Sequence, residues 1–295
     1  MTVFTRTNSG ISNSAAFLGA DIIVYTEGGN VSYSMQDVES GNFNKKSIDI
    51  KFWSGLFNVA QFSKKVEFRA LGSKSSSRHI REKIITKQIK NVAVVVDKDL
   101  DFLLTEPVSS PFILFTKGYS WENDVYTEDN TYKQISSMVL EQDIPNEIVE
   151  EIQSAYSDFK RIGKRLLRLE IIFRSQQQRF ITEINGERFF NHKKSPCIDK
   201  TQLIAFIKQK KHELRTRPAT MPHVKYELCE IKDNYGKLIA SLSKNIISYI
   251  CKKHLNHTSI PAALIECFMI ERYLRAQEKE CDKYYLDLIK LLESA

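Results

Sequence analysis

Three aspartates, Asp97, Asp99 and Asp101, follow directly on an uninterrupted apolar run, Val92, Ala93, Val94, Val95 and Val96. Such a run suits a strand buried on both faces of a parallel sheet. In an open α/β sheet the carboxyl ends of the strands face the functional crevice, so the run would deliver these carboxylates to where chemistry is done. Carboxylates packed this closely repel one another unless a cation such as Mg²⁺ or Mn²⁺ lies between them. Asp97 and Asp99 are two apart, so they point the same way if the strand continues through them, and they could share one metal. A metal so held activates water and stabilises charge on a transferring phosphoryl group.

Other groups fall at the ends of other predicted strands. Asp21 to Thr26 (DIIVYT) reads as a first buried strand ending in Glu27-Gly28-Gly29. Glu27 there could accept and deliver a proton near a reacting oxygen. Gly72-Ser73-Lys74 follows the strand Val66 to Leu71 and opens a helix, where free N–H groups suit a phosphate and Lys74 or Lys98 adds neutralising charge. Glu122 follows the fourth strand, Phe112 to Thr116. Glycine turns and helix caps account for any one of these features alone. Their order along the chain, Glu-Gly first and DxD later, is what gives them weight.

The elements between these points follow from pattern. Residues 1–20 read as an irregular lead-in, and 30–48 as a loop or small hairpin insertion. Asp49 to Ala60 carries Ile50, Trp53, Leu56, Phe57 and Ala60 at helical spacing, with Trp53 and Phe57 as core. Asp49 would cap that helix or join the acidic group. A helix runs from Lys74 to about Ile89. Strands alternating with helices imply a parallel α/β sheet. Beyond Tyr132 the signal becomes helical: a long helix from near Pro145, Leu203 to Leu214 capped by Asp199, Leu238 to Leu255, and Pro261 to Leu292. The expected fold is therefore α/β plus α, with a sheet domain over 1–135 and a mostly helical domain over 136–295. Cys251, His254 and His257 make an incomplete zinc set, better read as a basic helix end and turn.

The bulk properties narrow the class. The chain has 295 residues, 42% hydrophobic and 27% charged, as globular proteins do. No apolar run reaches the roughly 18 residues needed to span a bilayer, and MTVFTRTNSG lacks a signal-peptide pattern. Five scattered cysteines suggest no disulfide framework and point to a reducing, cytoplasmic setting. The net charge is +7, and residues 1–130 balance at 15 basic and 15 acidic. Residues 160–217 hold 16 basic against 5 acidic, a plausible footprint for a phosphate backbone, and Arg161, Lys164, Arg165 and Arg168 within it are the candidate nucleic-acid contacts.

From Ile22 to Tyr126, VYTEGG and VVVDKDLD resemble the TOPRIM domain of topoisomerases, primases and related nucleases. More narrowly, TEGG, DIKFW, LGSK, VVVDKDLD and FTKGYSWEND are similar to the TOPRIM-like nuclease effectors paired with ABC-type ATPases in the PARIS anti-phage systems. The resemblance implies Glu27 as general acid/base and Asp97 and Asp99 as ligands of Mg²⁺ or Mn²⁺, with Asp101, Asp49 and Glu122 as further candidates. It implies release from an ATPase sensor, homodimerisation, and cleavage of a host tRNA, a lysine tRNA by that likeness, to arrest translation. The helical domain would bind RNA, a second subunit, or both. One departure stands out: relatives of this group often place an acid a few residues beyond the glutamate, whereas Gly28-Gly29-Asn30 has none and Asp49 is the nearest equivalent. A DNA-directed TOPRIM nuclease and a non-catalytic ATPase-docking subunit remain as alternatives.

Overall fold

The structure is a computed structural model that describes residues 8–100, 103, 109–182, 186–214, 227–257 and 259–295, the side chains of 8–10 and 13 excepted. In chain order the elements are α1 (Asn8–Phe17), β1 (Ile22–Thr26), α2 (Met35–Glu39), α3 (Ile48–Val59), β2 (Val66–Ala70), α4 (Lys74–Ile85), β3 (Val92–Val96) and β4 (Ile113–Phe115). They continue with α5 (Trp121–Val125), α6 (Glu128–Ser136), α7 (Asn146–Ser175), α8 (Lys200–Glu213), α9 (Gly236–His254), α10 (Ala262–Lys279) and α11 (Lys283–Glu293). Among the described residues no helix is long and apolar enough to cross a membrane. All five cysteines are free.

The chain divides into two units. The first comprises Met1–Lys98, Pro107–Lys117 and Tyr273–Ala295; the second comprises Asp99–Glu106 and Gly118–Arg272. This differs from a single boundary near residue 135, because the C-terminal segment belongs with the sheet. Phe52 of α3 stacks on Tyr273, and Phe52 and Trp53 both meet the Tyr285 ring edge-on at 5.9 and 5.7 Å. The backbone N–H of Lys117 donates to Tyr285 Oη at 3.0 Å, and Ser63 N–H donates to Glu293 at 2.6 Å. Trp53 and Phe57 are core residues, as their spacing implies. The expected single stretch from Pro261 to Leu292 is interrupted, and Asp282 caps α11 by accepting from Tyr284 N–H at 2.9 Å.

In the first unit four parallel strands lie in the order β2-β1-β3-β4. Every residue of β1 and of β3 is buried, which explains their lack of polar alternation. One face (Ile23, Tyr25, Val94, Val96, Ile113) packs with Ile80 and Ile84 of α4 and with Ile11 and Ala15 of α1. The lead-in is thus partly helical: α1 is poor in strong helix formers, and its stability comes from laying Ile11 and Ala15, four apart, on the sheet. On the opposite face Phe68 meets the Phe57 ring at 5.2 Å. The insertion contains α2, started by a Ser34–Asp37 capping box, and an antiparallel bridge from Asn44 to Ala70. The second unit is helical. Within it α7 buries Ile148, Ile152, Ala155, Tyr156, Phe159 and Leu166 on one stripe, and Asp199 caps α8 as expected.

Candidate active site

Because all four strands run the same way, their carboxyl ends share one edge of the first unit, and β1 lies between β2 and β3. Glu27 leaves β1 there, half-buried, and its Oε2 accepts the backbone N–H of Asp97, at the exit of β3, at 3.3 Å. The β2 exit is laced to the β1 exit: Leu71 N–H donates to Thr26 O at 2.9 Å and Gly72 N–H to Gly28 O at 3.1 Å. At the β4 exit, Thr116 Oγ1 accepts the N–H of Lys98 at 3.0 Å.

Asp49 joins this edge. The N-cap of α3 is Ser47, which accepts from Ile50 N–H at 3.1 Å, so Asp49 is not the cap but sits in the first turn. A methyl group added at Gly28 would land on the Asp49 carboxylate. Glycine at 28 is therefore what lets that carboxylate approach the glutamate's backbone. Glu27 thus meets the Asp97 backbone, and Asp49 lies against the backbone of Gly28, all within the first unit and 22 and 48 residues apart in the chain.

The other expected residues fall as follows. The strand ends at Val96, and Asp99 adopts a left-handed turn with φ of 50°, so strand alternation does not aim Asp97 and Asp99 alike. Asp99 is in the second unit, 8% exposed, its N–H donating to Tyr119 O at 2.7 Å. Asp101 lies outside the described residues. Glu122 is buried in α5 and pairs with Lys237 at 3.1 Å, a partner that balances its charge. Around the expected phosphate loop, Gly72 N–H is already spent on Gly28 O, and Ser73 Oγ accepts from Ser76 N–H as the cap of α4. Lys74 is half-buried in the first turn of that helix. Arg161, Lys164, Arg165 and Arg168 are all exposed on one stripe of α7; Arg161 meets Asp158 at 2.8 Å.

Three features escaped the sequence reading. Arg69 is buried in β2, its guanidinium 3.8 Å from the Phe43 ring centre in the insertion. Its position facing Tyr25 in the ladder was readable only once register was known. In the second unit, Arg174 of α7 bonds Glu170 at 2.7 Å and donates to the Tyr119 hydroxyl. Glu147, Glu151 and His254 bring ligand atoms within 4.8 Å of one another. Lys253 Nζ already stands 2.7 and 2.6 Å from those two glutamates, and its hydrogen bonds hold the Glu147 carboxyl below its usual range. His254 bonds Glu151 at 3.0 Å, and burial pushes the neighbouring Cys251 thiol up to about 11.

The donors placed at the sheet edge, Glu27, Asp49 and Asp97, are carboxylates, which suit a hard cation such as Mg²⁺ or Mn²⁺. A scan against protein-family models finds none that matches this chain, and a search of curated proteins returns no match.

Proposed function

We propose that this chain is a metal-dependent nuclease of the TOPRIM type. The observation that carries the reading is the meeting of Glu27 and Asp97 on the carboxyl edge of an all-parallel sheet, joined by the bond from Asp97 N–H to the glutamate. By the resemblance Asp97 and Asp99 would hold Mg²⁺ or Mn²⁺, which when bound supplies charge stabilisation for phosphodiester cleavage, and Asp49, which lies against Gly28, is a further candidate. Glu27 is the proton carrier, taking a proton from the attacking oxygen or returning one to the leaving oxygen. The exposed stripe on α7 supplies phosphate contacts that position the strand without reading its sequence. By resemblance the substrate is a host tRNA, the partner an ABC-type ATPase sensor, and the active form a homodimer.

The test is cleavage of tRNA and of plasmid DNA with Mg²⁺ by the wild type and Glu27→Ala. Cleavage of tRNA by the wild type and its loss in a variant that melts like the wild type are expected. Full activity in well-folded Glu27→Ala removes Glu27 from the mechanism, and preference for the plasmid moves the substrate class to DNA.

A further inference from the structure

The second aspartate of the DKD motif is held by an apparatus that the nuclease reading does not use. Asp99 N–H donates to Tyr119 O at 2.7 Å, and Leu100 is buried with Tyr119, Leu167 and Ile171. Tyr119 is fixed in turn: its N–H donates to Lys232 O at 2.8 Å, its ring meets Tyr235 edge-on at 5.8 Å, and its hydroxyl accepts from Arg174. Arg174 is locked by Glu170, only 4% exposed, whose second oxygen accepts the Ile181 N–H at 3.2 Å. The chain of contacts thus runs from Glu170 through Arg174 and Tyr119 to the backbone of Asp99.

We propose that Tyr119 and Arg174 are positioning residues for Asp99: Arg174, at the C-terminal end of α7, holds Tyr119, whose carbonyl holds the Asp99 turn so that its carboxylate can serve as a metal ligand. A non-glycine residue at positive φ needs such support, because that conformation persists only where its surroundings over-determine it. Outer partners of metal-binding carboxylates orient them, and removing one typically weakens metal binding about 10- to 100-fold. The inference rests on the nuclease reading and deepens it. It also makes one helix carry both the basic stripe ending at Arg168 and, roughly 9 Å further along at 1.5 Å per residue, the clamp on Asp99.

The test is calorimetric titration of the full chain with Mn²⁺, comparing wild type, Asp97→Asn, Asp99→Asn, Tyr119→Phe and Arg174→Lys. Tyr119→Phe keeps the packed ring and removes only the hydroxyl; Arg174→Lys keeps the charge beside Glu170. Binding about tenfold weaker in Tyr119→Phe is expected. Adding Tyr119→Phe to Asp99→Asn should change affinity no further, because the tyrosine acts through that carboxylate. If Asp97→Asn weakens Mn²⁺ binding while Tyr119→Phe and Arg174→Lys leave it unchanged or tighter, the positioning role is overturned and the nuclease site stands. If the wild type takes up no Mn²⁺, or Asp97→Asn makes no difference, both readings fall.

Discussion

Gly72 sits where two demands meet: its φ is +64°, and a methyl group there would strike the carbonyl oxygen of Val31 in the insertion. Ser32 Oγ donates to Gly72 O and Tyr33 N–H donates to Leu71 O at 3.1 Å, so the insertion is stitched to this turn. Gly72→Ala should lower stability by more than the roughly 1–2 kcal/mol of a left-handed alanine, since the insertion must also give way. Urea unfolding would measure it, and a loss under about 0.5 kcal/mol, the range of an ordinary surface change, would mean the stitching is unimportant. A second residue-scale expectation concerns Cys251, buried in α9 with its thiol pushed up to about 11. A raised thiol pKa means the fold favours the protonated form. That contribution is intact below the unfolded thiol's range and is lost as pH rises through the folded value. Native Cys251 should therefore resist alkylation at pH 8 while exposed Cys229 reacts, as mass spectrometry of the labelled protein would show. Equal labelling of the two would contradict the burial.

At the scale of elements, α7 separates two kinds of side chain on one rod. Its buried stripe holds the second unit together, and Phe159→Ala should cost about 3–5 kcal/mol. Charge reversal at Lys164, Arg165 and Arg168 should change stability by less than about 0.5 kcal/mol, since all three are exposed. The same change should weaken nucleic-acid binding more at low salt than at high and flatten the salt dependence by about one unit of slope per lost contact. Affinity that ignores this reversal would give the stripe another job. This helix was legible in the sequence because Ile148, Ile152, Ala155, Phe159 and Leu166 repeat over five turns. The break between α10 and α11 was not, because apolar spacing carries across Glu280 to Asp282 and only the Asp282 cap marks the stop. Nor was α1, whose Ser and Asn content outweighs two buried residues in any local reading. Ser47 rather than Asp49 as the cap of α3 was equally a matter of geometry, since either residue type serves.

At the scale of the whole molecule, the strands could be read from short apolar runs, and with them the ordering of Glu27 and Asp97 along one sheet edge. A strand's exit depends only on local sequence and on parallel topology. The convergence of Asp49 and the return of the C-terminal segment depend on partners 22 and more than 200 residues away, which no window reveals. Trp53 was recognisable as core, but what covers it was not. Tyr273 and Tyr285 cover Phe52 and Trp53, Leu274 fills the space beside Gly55, and Tyr284 Oη donates to Phe115 O at 3.1 Å. Fully burying an aromatic side chain of this kind contributes roughly 1.5–3 kcal/mol, so losing two such covers removes a large share of a typical domain's 5–15 kcal/mol. A chain ending at Arg272, which lacks both tyrosines, should therefore keep a folded second unit but lose protection of the sheet. In hydrogen exchange, amides of β1 and β3 should exchange orders of magnitude faster in the truncated chain, while those of α7 and α9 hold their protection. The milder Tyr285→Phe, which deletes only the acceptor for Lys117 N–H, should leave β1 protected and shift exchange near β4 alone. Unchanged protection of β1 and β3 in the truncated chain would mean that the sheet stands without its C-terminal cover, and that a unit ending near residue 135 is sufficient after all.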